Sequence, residues 1–302
     1  MALRGALGEG AVSAGKSLVA VIGAGRVGTA MALLLSERGY RVTSVADSSE
    51  NARERAAGLS GATPTSDVSL AARDVDLVII TTPDGEIAET CERIIASGMD
   101  VSGKKFLHMS GALSLDVLET ASRAGADVLA VHPLQTFADM EGAVKALPGS
   151  TFGVTCDPAL EDWARCLVDD LGGKAQVIED SDKVLYHAAA VMASNFIAMV
   201  EHAALTVARG LGFGEDEFSA AFMPLSKASV DNVARLGPVG ALTGPLARGD
   251  VGTIEKHLEA LERFDPALAS LYRQVCFWGL RLVEERGDLD RATIDTMRAL
   301  LE

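Results

Sequence analysis

Lys183 and His187 stand one helical turn apart in the run Lys183-Val184-Leu185-Tyr186-His187, a spacing that lets an ammonium and an imidazole address one substrate atom. A lysine so placed can hydrogen-bond a carbonyl oxygen and protonate the alkoxide that forms as hydride arrives. With Lys183 at zero and about 100° per residue, His187 falls near ~40°, Ser194 near ~20° and Glu201 near ~0°. Leu185, Met192, Phe196 and Met199 fall on the far side. Ser194 lies roughly 16 Å farther along and cannot join the pair unless the substrate is long. Asn195, at about 120°, is a candidate to brace the helix or touch ligand. The alternative for the whole stripe is a solvated helix face.

The hydride would come from a dinucleotide. Leu18 to Ile22 is a β-branched apolar run, followed by Gly23-Ala24-Gly25-Arg26-Val27-Gly28 and later by Asp47. The glycines permit a tight turn, close backbone approach to a pyrophosphate and close helix packing. The N–H groups of Arg26 and Val27 would open the helix onto the phosphates, and Asp47 with Ser48 would accept the adenosine ribose hydroxyls. A carboxylate there favours NAD over NADP, with Arg53 and Arg55 as the opposing cations.

Three further strand ends belong to the same place, because ligands of open α/β sheets bind beyond the carboxyl ends of the strands. They are Thr81-Thr82-Pro83-Asp84, His108-Met109-Ser110-Gly111 and His132-Pro133-Leu134-Gln135-Thr136. Thr82 and Pro83 would let a flat nicotinamide lie close to the backbone, or Thr82 or Asp84 would cap a helix. Ser110 would bond a substrate oxygen or cap its own turn. His132 would sit at the cleft as a proton carrier, or be satisfied by a backbone carbonyl. A last segment, Leu242 to Asp250, contains Gly244-Pro245 and Arg248-Gly249-Asp250. Asp250 is first a helix cap and then a candidate substrate contact, and Arg248 offers a planar fork for a carboxylate.

The elements that must position these residues alternate. Strands are expected at 18–22, 41–46, 61–64, 76–82, 104–109, 126–131, 150–155 and 174–178, with helices between most of them. This implies a doubly wound parallel α/β sheet. From 181 to 211 one helix of about 30 residues is expected, then more helices to the end. The domains are therefore read as a disordered extension (1–16), a dinucleotide-binding domain (17–180) and a helical substrate and dimerisation domain (181–302). So long a helix is more easily stabilised if covered on both sides, which predicts a homodimer.

The 302 residues carry a net charge of −15, which argues against nucleic acid and anionic membranes as partners and for local donors as the anion-binding device. No uninterrupted apolar tract approaches the roughly 20 residues of a membrane span. Cys91, Cys156, Cys166 and Cys276 show no metal-ligand spacing and no disulfide framework, so no metal is expected and the protein is read as cytoplasmic.

The strings VIGAGRVG, TTPD, HMSG, AVHPLQTF, KVLYHAAAVMASNF and LTGPLARGD together resemble a bacterial family of Rossmann-like oxidoreductases with a helical C-terminal domain of unknown function. That family is similar to the 6-phosphogluconate dehydrogenase, pyrroline-5-carboxylate reductase and ketopantoate reductase group. The resemblance implies a helical-domain dimer and hydride transfer to C=O or C=N, with Lys183 as the catalytic lysine. His187 stands where the keto-acid reducers have asparagine. The expectation is an NAD(P)-dependent reductase or dehydrogenase of a small carboxylated keto or imino compound. The alternatives are a dinucleotide-binding sensor and an S-adenosylmethionine-dependent methyltransferase; the latter lacks its usual GxGxG spacing and a terminal antiparallel hairpin.

Overall fold

The computed structural model describes residues Ser17 to Glu302, so the expected disordered extension, residues 1–16, lies outside the described residues. The chain divides between Phe196 and Ile197 into two compact units.

In the first unit the order is β1 (Leu18–Ile22), α1 (Arg26–Glu37), β2 (Arg41–Ala46), α2 (Glu50–Ser60), β3 (Thr63–Thr65), α3 (Val68–Ala72), β4 (Leu77–Ile80), α4 (Ile87–Ile95), β5 (Lys105–His108), α5 (Glu119–Arg123), β6 (Asp127–Pro133), α6 (Met140–Ala146), β7 (Thr151–Cys156), α7 (Glu161–Asp170), β8 (Lys174–Val177) and α8 (Lys183–Ala193). The sheet order is β3-β2-β1-β4-β5-β6-β7-β8. Its first six strands have the doubly wound order, whose switch point lies between β1 and β4.

Apolar residues fill both faces, as a parallel sheet requires. Val19, Val21, Leu77, Ile79 and Leu107 pack with Met31 and Leu35 of α1, while Ala20, Ile22, Val78, Ile80 and Phe106 pack with Ile87, Cys91 and Ile94 of α4. Each such Leu or Ile contributes roughly 1.5–3 kcal/mol on burial. These layers clamp the strand ends on which the site is built.

The sheet is not wholly parallel, a correction to the reading from alternation alone. β7 pairs with β6 antiparallel, and β8 is parallel to β7. The connection returns to the sheet end it left, where the Leu134 N–H donates to the Thr151 carbonyl at 2.8 Å. No crossover to the opposite end takes place, so the pairing reverses. From β4 to β8 the strands lie side by side in chain order and the last two are parallel, so among the described residues there is no terminal antiparallel hairpin and the methyltransferase alternative gains nothing.

The second correction concerns the long helix. It opens with a 3-10 turn at Asp180–Asp182 and divides into α8 and α9 (Asn195–Gly210) at Ser194, whose φ and ψ are −126° and −65°. The Ser194 hydroxyl donates to the Ala190 carbonyl at 2.9 Å and also meets Asn195 Oδ1, and bonding back to the i−4 carbonyl bends helices. The polarity of this helix is inverted relative to a solvated stripe. Lys183 is 2% exposed, whereas Leu185 and Met192 are 76% and 61% exposed. The run Asp180 to Gly210 is also long and apolar enough to cross a membrane, with mean hydropathy 1.4 in its most apolar window and none of that window buried. Its scattered polar residues, Lys183, His187 and Ser194 among them, hide it from a reading that requires an uninterrupted tract.

The second unit holds most of α9 and then α10 (Glu215–Ala241), α11 (Gly244–Arg248), α12 (Val251–Phe264), α13 (Pro266–Arg286) and α14 (Arg291–Leu301). α10 is interrupted at Gly237, φ 71°, just before Pro238. Leu246, Ile254, Leu258, Leu280, Val283, Ile294, Met297 and Leu301 form its core.

Candidate active site

The glycine loop is shaped by contacts that no side chain would survive. Gly23 has φ 98°, and a Cβ there would stand 2.7 Å from the Thr81 carbonyl carbon and 2.8 Å from the Thr82 nitrogen. At Gly28 a Cβ would collide with the Gly23 carbonyl oxygen and Thr81 Oγ1. Gly25 differs from both. Nothing lies within 4 Å of its Cβ position, and as the N-cap of α1 it supplies no side-chain cap. The first N–H groups of α1, at Arg26 and Val27, therefore open onto unfilled space at the positive end of a helix.

Asp47 is tied to this loop. Its Oδ2 accepts from the Ala24 N–H at 2.6 Å and its Oδ1 from the Ser49 N–H at 2.8 Å. The carboxylate thus staples β2 to the loop, and it keeps lone pairs for a ribose diol. Ser48 offers its carbonyl to Arg53, whose guanidinium also holds the Asp47 carbonyl at 3.4 Å. Arg26 Nη1 donates to the Phe137 carbonyl at 3.2 Å.

A cavity of about 220 Å³ lies where the strand ends converge, lined among others by Val27, Thr82, Ser110, His132, Gln135 and Phe137. Thr82 Oγ1 is buried without a hydrogen-bond partner. Pro83 starts a 3-10 turn with no side-chain cap, so neither Thr82 nor Asp84 is the cap that the sequence allowed. Asp84 instead accepts from Ser110 Oγ at 2.8 Å. That hydroxyl also receives the N–H groups of Ala112 and Leu113. Ser110 therefore caps its own turn, and its proton is committed to Asp84.

Lys183 reaches the cavity wall from behind. Its Nζ donates to the Ser110 carbonyl at 3.2 Å in a buried setting. Burial pulls its pKa down against the opposing pull of Asp180 and Asp84. His132 has a phenol as its partner rather than the backbone carbonyl that the sequence allowed; its Nδ1 meets the Tyr186 hydroxyl at 3.1 Å. Burial first, then the neighbouring His187 and Lys183, push its pKa down to about 4, so it is neutral at pH 7. His108 is fully buried and held at about 3 for the same first reason, with its Nδ1 accepting from the Ser110 N–H.

His187 crosses His132 edge-on, ring centres 5.7 Å apart, and its Nδ1 is buried without a partner. The rings close over Gly111. A Cβ there would stand 2.6 Å from His187 Nδ1 and 2.8 Å from His132 Nε2. Ser110 and His132 line the cavity, while Lys183 and His187 stand behind that lining, Lys183 bonded to the Ser110 carbonyl and His187 against the His132 ring; Asn195 is exposed and bonded to Ser194. Arg248 and Asp250 belong to the second unit. There Asp250 caps α12, accepting from Thr253 N at 3.1 Å and Thr253 Oγ1 at 2.7 Å. The sequence reading gave Tyr186 and Gly111 no role of their own and left Gly153 inside an expected strand. An isolated glycine inside a strand pattern, such as Gly153, is a usable signal of close approach.

Residues 5–133 match the family model of a Rossmann-like domain, and residues 150–277 match that of a domain of unknown function, DUF2520. No curated protein matches the chain. Among solved structures it is similar to a candidate NADP oxidoreductase from Bacteroides fragilis, at 24% identity and TM-score 0.71, covering 90% of this chain and 99% of that one. It is similar to a protein from Thermotoga maritima at 22% identity and TM-score 0.70, covering 88% and 98%. An imine reductase from Myxococcus stipitatus, in complex with NADP+, shares 19% identity and TM-score 0.60 over 94% and 92%. At these identities the likeness is one of fold. The chain therefore joins a Rossmann-like domain to a DUF2520 domain, the pairing that its sequence strings resembled.

Proposed function

We propose that this protein is an NAD(P)-dependent oxidoreductase acting on a small keto or imino compound, and that it works as a homodimer. The observation that carries the reading is the buried Lys183 ammonium bonded to the carbonyl of Ser110, a wall residue of the strand-end cavity that Val27 at the head of α1 also lines. A dinucleotide-binding sensor has no need of a buried ammonium there. The names of the similar structures, which include a reductive aminase from Aspergillus terreus in complex with NADPH, support the same class of chemistry.

The cofactor fits the residues present. Gly25 leaves room beside the α1 N–H groups for a pyrophosphate, Asp47 offers lone pairs to a ribose, and the unpartnered Thr82 hydroxyl borders the cavity, where we place the nicotinamide, with Pro83 next along the chain. When bound, a reduced nicotinamide supplies two electrons and a proton to the substrate carbon. The chain supplies orientation and the second proton. His132, neutral at pH 7, can donate a hydrogen bond but carries no imidazolium proton; we assign the acid role to Lys183, with His187 as the alternative. The depressed pKa of Lys183 makes it a better donor to an alkoxide or amide nitrogen than an ordinary lysine.

NAD is the favoured dinucleotide. A 2′-phosphate next to Asp47 would meet like charge, a penalty on the order of 1–3 kcal/mol. Arg53, already bonded to two carbonyls and 3.9 Å from Glu50, is poorly free to offset it. The test is a screen of keto acids and cyclic imines with NADH and NADPH, followed by nicotinamide absorbance. Absence of turnover on every such substrate, in a protein that binds the dinucleotide, would reject the enzyme and leave the sensor.

A further inference from the structure

We propose that Tyr186 is a positioning residue that fixes the tautomer of His132, donating its hydroxyl to Nδ1 so that the ring proton stands on Nε2. The inference deepens the oxidoreductase reading and rests on it for its chemical purpose. Its geometry stands by itself.

The arrangement begins with strand register. His132 on β6 lies directly opposite Gly153 on β7, and directly opposed residues of an antiparallel pair project to the same face. Gly153 has no side chain to fill its share of that face. The Tyr186 ring from α8 fills it: a Cβ at Gly153 would stand 2.7 Å from the phenol oxygen and 2.8 Å from Cζ. Held there, the phenol meets His132 edge-on at 5.6 Å between ring centres and 3.1 Å between Oη and Nδ1.

The direction of that bond follows from counting partners. Burial pushes the Tyr186 pKa up, with the adjacent Gly153 backbone opposing that push, and the Gly153 N–H lies in the ladder that pairs Gly153 with His132. The half-buried phenolic O–H needs an acceptor, because a hydroxyl proton withdrawn from water without one is costly. Among the described residues its side-chain partner is His132 Nδ1. Tyr186 therefore donates, and the histidine proton is displaced to Nε2, the nitrogen turned toward Gly111. His187, Lys183 and Asp84 also face this imidazole electrostatically, and His132 in turn acts on His108. A neutral Nε2–H imidazole is a fixed hydrogen-bond donor that can polarise a carbonyl oxygen or imine nitrogen without surrendering its proton.

The test reads the ring nitrogens of ¹⁵N-labelled protein at neutral pH, without dinucleotide or substrate, using His132→Gln to assign the signals. In the wild type, His132 is expected to show one protonated nitrogen, Nε2. Tyr186→Phe keeps the ring over Gly153 and deletes only the hydroxyl; it should lose the single tautomer, the two ring-nitrogen shifts moving toward a common averaged value. A wild-type spectrum with the proton on Nδ1, or a His132 spectrum unmoved in Tyr186→Phe, overturns the proposal. Because these spectra require no turnover, a failed substrate screen would reject the oxidoreductase reading while leaving the tautomer assignment untouched.

Discussion

Lys183 is the residue on which the chemistry turns. Its ammonium acts as charge develops on the substrate heteroatom, so Lys183→Met should lower turnover by about 10²- to 10⁴-fold while dinucleotide affinity changes by no more than a few-fold. Wild-type turnover should fall as pH rises through a value below the ordinary ~10.4 of lysine, because burial lowers its pKa and only the protonated form donates. Near-normal turnover in the methionine variant would remove the acid role. Asp47 carries a second prediction: calorimetric titration should show NADH bound more tightly than NADPH, and Asp47→Ala should weaken NADH and narrow the gap. The same variant also frees the Ala24 and Ser49 N–H groups, so its thermal stability must be followed alongside. His108 and His132 link the site to acid stability. Both stay neutral when folded, with pKa values near 3 and 4 against an ordinary 6.5. Between those values and 6.5 the unfolded chain binds protons that the folded chain refuses. Stability is therefore present above pH 6.5 and lost as pH falls toward 4 and 3, by on the order of a few kcal/mol. Melting temperatures across that range should decline, and less steeply in His108→Asn, whose amide oxygen can still accept from the Ser110 N–H.

Elements separate two kinds of glycine at the head of α1. Gly25→Ala meets open space and an ordinary φ of −68°, so it should melt within a degree or two of wild type yet bind dinucleotide at least ten-fold more weakly. Gly28→Ala meets the Gly23 carbonyl and Thr81 and should lose both stability and binding. Equal behaviour of the two variants in calorimetry and melting would refute the assignment of that space to a pyrophosphate. This loop was legible in the sequence because its chemistry is local: strand, glycines, helix and acid follow one another along the chain. The histidine site was only half legible. Periodicity placed Lys183 and His187 on one side of a helix, but it carries no information about which side faces the core. The solvated-face alternative therefore had the direction reversed. Tyr186, Gly153 and Gly111 depend on the β6–β7 register and on the seating of α8 against it, which are tertiary facts. The antiparallel turn of β7 was hidden for a related reason, since strand alternation reads the same whichever way a connection returns.

At the scale of the whole molecule, the exposed apolar residues call for a covering partner. Leu185, Met192 and Met199 on α8 and α9 are 76%, 61% and 58% exposed, and Trp278 on α13 is 62% exposed. So much exposed apolar surface marks an interface. We propose a second copy of this chain as the occupant, and light scattering at micromolar concentration should give twice the 31.5 kDa of a single chain. A monomer under those conditions would leave the surface to another partner. Leu185→Glu with Met192→Glu should dissociate the dimer without lowering the stability of the sheet unit, since both side chains point away from its core.

The two ends of the sheet restrict how such copies can meet. At one end stands β3, only Thr63–Thr65, with Pro64 at its centre and its first two residues exposed; at the other stands β8, Lys174–Val177, whose Lys174 and Gln176 face solvent. A proline lacks the N–H a neighbouring strand would need, and short edges bearing polar side chains resist pairing. The sheet is therefore a poor seed for strand-by-strand growth, and self-association of this chain is left to side-chain packing between helices.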